Sequence, residues 1–131
     1  MQKEKIKIGD SASVSKTITE TDVYCFAEIC GDFNPLHVNE KEAEKSRFGK
    51  RICHGMLVSS FISTVLGMYL PGPGSIYLEQ SLEFLAPVFI DDTITVTVIV
   101  KEINNKIVSL ETIVVNQNMQ KVIKGYAKVM V

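Results

Sequence analysis

No excess of charge of either sign marks this chain. Fourteen Lys and Arg stand against fifteen Asp and Glu, a net charge of −1, so the balance offers no partner to nucleic acid or an anionic membrane. Cysteine is scarce. Cys25, Cys30 and Cys53 fit no metal or redox spacing, and an odd number argues against a disulfide framework; a reducing cytoplasm is the expected setting. The opening MQKEKIKIGD lacks the apolar region of a signal peptide. The apolar run from Met56 to Leu70 is too short, and too rich in Ser and Gly, to favour a membrane span. There is no internal repeat, linker or low-complexity segment. What is present is an ordinary apolar fraction, 46% of 131 residues, enough for one domain over residues 1–131 with a real core.

Hydrophobic spacing predicts the elements. Ser11 to Ile18 alternates as a short strand. Thr19 or Thr21 is placed to cap a helix from about Asp22 to Cys30, with Val23, Phe26, Ala27 and Cys30 as its apolar face and Gly31 as its stop. Asn39 is placed to cap a short charged helix, Glu40 to Ser46. Gly55 to Leu70 is apolar nearly all round, which predicts a helix surrounded by protein, and Pro71-Gly72-Pro73-Gly74 ends it. The remainder reads as strands: Ile76 to Phe84, Thr93 to Glu102, Ile107 to Val115 and Val122 to Val131, with turns at Asp91-Asp92, Asn104-Asn105 and Asn116 to Asn118. Long antiparallel strands after one buried helix predict a curved sheet wrapped around that helix, the α+β hot-dog arrangement. A single half-covered sheet of this kind is expected to pair with a second copy, so a homodimer or higher even oligomer is expected.

Chemistry concentrates in Asp32-Phe33-Asn34-Pro35-Leu36-His37 and His54-Gly55-Met56. A carboxylate and an imidazole stand five residues apart around a turn that Asn34 favours and Pro35 stiffens. Taken singly, Asp32 is a turn-former and His37 a satisfied loop histidine. Their company argues for an acid/base pair: both histidines of the chain lie near this loop, just ahead of an apolar helix. Gly55 either simply starts the helix or offers a backbone N–H at its positive end to an oxygen gaining negative charge. His54 has two readings, a catalytic group or a structural one, for example bonding a backbone carbonyl; the structural role is favoured. Ser59, Ser60 and Ser63 each bond back to their own helix or, in one case, orient Asp32, and spacing does not say which. No Gly-x-Ser-x-Gly elbow is present, and Cys53 reads as a small buried hydrophobe rather than a nucleophile. Arg47, Lys50 and Arg51 form a basic cluster near enough in sequence to meet a phosphorylated carrier.

These residues resemble the MaoC-like (R)-specific enoyl-CoA hydratases of the monofunctional, polyhydroxyalkanoate-associated type. The resemblance spans essentially the whole chain: Asp32-Phe-Asn-Pro-Leu-His37, His54-Gly-Met-Leu57, Leu70-Pro-Gly-Pro-Gly-Ser-Ile-Tyr77, Gln80-Ser-Leu82 and Pro87-Val-Phe89. It implies a hot-dog homodimer that hydrates trans-2-enoyl-CoA reversibly to the (R)-3-hydroxyacyl thioester, with no metal or redox cofactor. By position, Asp32 and His37 are then the catalytic pair, Gly55 donates to the thioester carbonyl, Ser63 holds Asp32, and Leu66 lines the acyl pocket, with Asn34 and His54 also on the substrate side. A short-chain preference and its relief in Leu66→Ala are the matching expectations. Rival readings are a 3-hydroxyacyl-[acyl-carrier-protein] dehydratase, a hot-dog thioesterase, and a non-catalytic acyl-thioester binding module; the Asp-Asn-Pro-His loop argues against the last two.

Overall fold

Three long strands carry the two-residue alternation that makes one face of a sheet apolar. In the computed structural model, which describes residues 6–131, they are β4 (Thr93–Asn104), β5 (Ile107–Val115) and β6 (Lys121–Met130); the alternation is broken only where β4 and β6 change register. Ile94, Val96, Val98 and Val100 of β4 point inward beside Val108, Leu110 and Val114 of β5 and Val122, Ala127 and Val129 of β6. The turn between β4 and β5 is closed by Asn105 at φ 56°, a left-handed conformation that Asn tolerates well.

Before them come β1 (Ser11–Thr17), α1 (Glu20–Cys30), α2 (Pro35–Val38), α3 (Glu40–Glu44), α4 (Gly55–Met68), β2 (Ile76–Gln80) and β3 (Glu83–Phe84). All pairings are antiparallel, and the sheet order is β1-β4-β5-β6-β2, with β3 also on β6. The outer face of the β1–β4 pair is polar, with Ser13, Ser15 and Thr17 hydroxyls bonded across to Thr97, Thr95 and Thr93. Only the inner face is therefore left to bury α4.

Two elements differ from the sequence expectation. The predicted strand Ile76 to Phe84 breaks into β2 and β3. At the break the chain bends over β6 so closely that a Cβ on Gly125 would lie 1.8 Å from the Ser81 carbonyl oxygen. Ser81 is tied there by its N–H to the Tyr126 carbonyl and by its hydroxyl to the Tyr126 N–H, both at 2.9 Å. The second difference is α4. Leu57, Val58, Ile62, Val65 and Leu66 are buried against the sheet. Met56, Ser60, Ser63 and Met68, however, form an exposed stripe along the opposite side. The all-round apolar pattern predicted full burial; within one chain, one side of this helix lies open.

Thr19 is the cap of α1. Its hydroxyl accepts the Asp22 N–H and the Asp22 carboxylate accepts the Thr19 N–H, a reciprocal pair that starts the helix at Glu20. Lys16 and the Thr19 backbone N–H hold the Asp22 carboxyl below its ordinary range, the backbone bond being the larger influence. Gly31 ends α1 at φ 80°, a conformation that costs glycine nothing. That reversal turns the chain straight into Asp32. Cys30, expected on the apolar face, is exposed at this last turn.

Candidate active site

The loop after α1 is a chain of side-chain-to-backbone bonds. Asp32 Oδ1 accepts the Asn34 N–H at 3.1 Å, and Asn34 Oδ1 accepts the Leu36 N–H at 3.1 Å. Asn34 thus caps α2, and Pro35 takes the first helical position, where its missing N–H costs nothing. The single turn of α2 then swings His37 inward until it is 9% exposed. Asn34 itself is exposed, with its side-chain oxygen occupied by the cap.

His37 is fixed by the strand-like segment before α4. Ile52 N–H donates to the Leu36 carbonyl, and Cys53 N–H donates to the Val88 carbonyl at 2.7 Å. This pins Ile52 so that its own carbonyl accepts from His37 Nδ1 at 2.7 Å. A carbonyl only accepts, so Nδ1 carries the proton, and the neutral ring keeps a free lone pair on Nε2. Burial pushes the His37 pKa below its ordinary value; the neighbouring His54 acts in the same direction, while the Ile52 bond and Asp32 oppose it.

His54 lies beneath the pair. It is 2% exposed, its Nε2 donates to the Asp32 carbonyl at 2.9 Å, and its ring stacks on His37 with centroids 4.0 Å apart. The favoured sequence reading, a bond to a backbone carbonyl, describes it; within one chain it does not border the cavity.

Gly55 opens α4. His54 provides no side-chain cap, and the first intrahelical donor is Val58 N–H, to the His54 carbonyl. The N–H groups ahead of it have no intrahelical acceptor and lie at the positive end of a 14-residue helix. The flank of Gly55 is covered by Phe84 of β3: a Cβ there would stand 2.6 Å from the ring. A cavity of about 470 Å³ adjoins these groups, its wall including His37, Arg47, Gly55, Met56, Phe84 and Val88.

Of the basic cluster, Arg51 is committed to the fold. It donates to the Tyr24 hydroxyl at 2.7 Å and pairs with Glu20 at 3.5 Å. Lys50 sits 4.3 Å over the Phe89 ring. Arg47 alone of the three lies in the cavity wall.

The structure does not bring every expected residue to this cluster. Ser63 is exposed on the open stripe of α4, and among the described residues no hydrogen bond joins it to Asp32. Leu66, expected to line the acyl pocket, is 2% exposed within the hydrophobic core and is not part of the cavity wall. Within one chain neither residue stands where position alone had put it, since the rotation of α4 about its axis was not legible. Leu66→Ala should accordingly cost about 2–5 kcal/mol of stability, checked by chemical denaturation, rather than act as a clean widening of the pocket.

Sequence reasoning missed Phe84 as the cover of Gly55 and the stacking of the two histidines. The first joins residues far apart in sequence and left no local signal. The second had one signal, two histidines each within two residues of a backbone-determining residue, Pro35 and Gly55.

Asp32, His37 and His54 offer donor atoms within 4.8 Å of one another, a spacing that a metal ion can use. Two of the four imidazole nitrogens are already bonded to carbonyls. Cys53 is no alternative nucleophile: burial pushes its thiol up to about 12, leaving almost no thiolate at neutral pH. Cys25 and Cys30 are exposed. Mass spectrometry after iodoacetamide treatment of native protein should therefore find these two thiols labelled and Cys53 unmodified until denaturant is added.

A carboxylate and an oriented imidazole beside an open helix N-terminus and an apolar cavity make an acid/base site for proton transfer next to a carbonyl. The chain belongs to the MaoC-like family: the model of the MaoC like domain matches residues 4–122. It is 52% identical over 130 residues to an (R)-specific enoyl-CoA hydratase of Rhodospirillum rubrum, covering 98% of this chain and 90% of that one. It is 39% identical over 131 residues to an (R)-specific enoyl-CoA hydratase of Aeromonas caviae, covering 98% of each. The solved (R)-hydratase of A. caviae involved in PHA biosynthesis superposes with a TM-score of 0.96 at 38% identity, over 98% of both chains. The hot-dog fold follows from that match.

Proposed function

We propose that this chain is an (R)-specific enoyl-CoA hydratase, adding water reversibly to a trans-2-enoyl thioester of coenzyme A. The observation that carries the proposal is His37 and the Gly55 N-terminus of α4 in the wall of one apolar cavity, with the exposed Asp32 carboxylate within 4.8 Å of the imidazole. The names and close likeness of the two relatives support the same reading.

The chemistry follows from the geometry. The Asp32 carboxylate and His37 Nε2 are both acceptors, so one water can donate an O–H to each and turn a lone pair outward. The Gly55 N–H draws electron density onto the thioester oxygen, which makes the β-carbon electrophilic. The water oxygen bonds to that carbon as the C=C electron pair moves toward the carbonyl. One water proton passes to the Asp32–His37 pair, and the pair returns a proton to the α-carbon as the enolate collapses. Net addition is H and OH from one water, on one face. The pair titrates as a unit. No oxidation state changes, and the N–H groups polarise the carbonyl, so the reaction calls for neither metal nor redox cofactor.

A homodimer is part of the proposal. The open stripe of α4 adjoins a group of exposed apolar side chains, Ile76, Tyr77 and Leu78 of the edge strand β2 among them. Covering that face with a second copy would bury it, pair the free edge of β2, and give Ser63 a neighbour that a single chain lacks. Sedimentation equilibrium should return a dimer mass or an even multiple of it. Among the described residues no helix is long and apolar enough to cross a membrane, and the free thiols suit a reducing cytoplasm.

The experiment is to incubate purified protein with crotonyl-CoA and follow the conjugated enoyl absorbance, with free thiol measured in parallel. Loss of absorbance without thiol release is expected. Thiol release would make it a thioesterase, and no change in either would leave a binding module. Because burial lowers the His37 pKa and the ring must be neutral to accept a proton, the acid limb of kcat/KM should fall below the ordinary imidazole value of about 6.5.

A further inference from the structure

We infer that His54 is a positioning residue for both members of the acid/base pair, gripping Asp32 through its backbone carbonyl and His37 through a ring stack. The inference rests on the hydration reading above, for which Asp32 and His37 are the reacting groups.

Three observations carry it. The Nε2–H of His54 donates to the Asp32 carbonyl at 2.9 Å. This fixes the peptide that bears the carboxylate, whose own hydrogen bond among the described residues is the one within its loop. The His54 ring lies 4.0 Å from that of His37, with 29° between the planes. His37 is already bonded at Nδ1 to the Ile52 carbonyl. A flat neighbour against its face removes the remaining freedom to tilt, and so fixes the direction of Nε2. Finally, with its proton on Nε2, the neutral ring leaves Nδ1 bare, and that buried atom has no hydrogen-bond partner among the described residues.

The last point separates positioning from packing. Burying an unpartnered acceptor is unfavourable, and a site that needed only bulk would hold an apolar ring. Phe26 packs edge-on against His54 with centroids 5.0 Å apart, so an aromatic is at home here. What Phe lacks is a donor, and what an amide lacks is a ring. His54 supplies both, and it is also the residue from which α4 and the Gly55 N–H begin.

Two variants divide the contacts. His54→Phe keeps a flat ring against His37 and loses the donor to Asp32. His54→Gln keeps an N–H donor of similar reach and loses the ring. Each should lower kcat for crotonyl-CoA hydration by about tenfold or more and leave KM within about twofold, because the pair is misaligned while the cavity is untouched. His54→Ala, lacking both contacts, should fall below either. Wild-type kcat in both variants, or a loss in only one of them, overturns the proposal. A measurement on wild-type protein covers the case in which a variant does not fold. Nitrogen NMR of the imidazoles at about pH 8, above the ordinary histidine range, should find the proton on Nε2 of His54 and on Nδ1 of His37. A proton on Nδ1 of His54 overturns the grip on Asp32 regardless of any variant. The tautomers are read without turnover, so an inactive wild type would count against the hydratase reading while leaving this result standing.

Discussion

Asp32→Asn and His37→Gln are each expected to lower turnover by about 10²–10⁴ while the folded protein melts close to the wild-type temperature. The asparagine retains an oxygen in place of Oδ1, which accepts the Asn34 N–H, so the loop bond survives and only the basicity goes. His37→Gln removes the Nε2 lone pair that the Ile52 bond leaves free. Steady-state hydration of crotonyl-CoA together with thermal melting checks both. The double variant should lose little more than the worse single one, since two groups that hold one water act as a unit. Near-wild-type turnover in either single variant would remove that residue from the chemistry.

Gly55→Ala should rank next, with kcat falling by about 10² for a displacement on the order of 1 Å. The added methyl would meet the Phe84 ring at 2.6 Å. Phe84 is 54% exposed, so the ring can swing aside and the fold should survive. The N–H is still present but no longer open to an approaching carbonyl. Phe84→Ala in the same background should recover part of the loss, and that recovery is the check: the coupling in a double-mutant cycle isolates the ring–methyl clash from any change in the helix itself. Absence of coupling would mean that the side of Gly55 under Phe84 is not the side from which a substrate arrives.

Local chemistry made much of this molecule legible before any coordinates. A threonine cap on α1, the Gly31 stop, the Asn34-Pro35 turn and the Asn105 reversal follow from what those side chains do to the backbone within a few residues; which of Thr19 and Thr21 is the cap was decided by the Asp22 bonds. The alternation in β4 and β5 states which side chains face inward. The acid/base loop was legible for the same reason, since the backbone turn through Asp32, Asn34 and His37 is set by bonds that span at most three residues; the bonds that aim the His37 ring and hold the Asp32 peptide come from Ile52 and His54, farther along the chain. The helix α4 was not. Apolar residues on every side of it give no phase, so neither the open stripe through Ser63 nor the burial of Leu66 could be read. The contacts that complete the site, Phe84 on Gly55 and His54 on His37, depend on how separate segments meet, which spacing within one segment does not encode.

The bend between β2 and β3 has a consequence for how the cavity is tuned. Gly125 lies on β6, opposite Thr112 in the middle of the β5–β6 ladder, and takes no part in the site. Because the Ser81 carbonyl occupies the space where its Cβ would stand, any side chain at this position must push the bend outward, and the bend leads directly into Phe84 and Leu85 on the cavity wall. A position on β6 that lines no part of the cavity therefore acts as a set-screw on its wall. The width available to a substrate is set in part by the smallest residue in the chain, so changes in selectivity can arise there without altering any atom that touches the reaction.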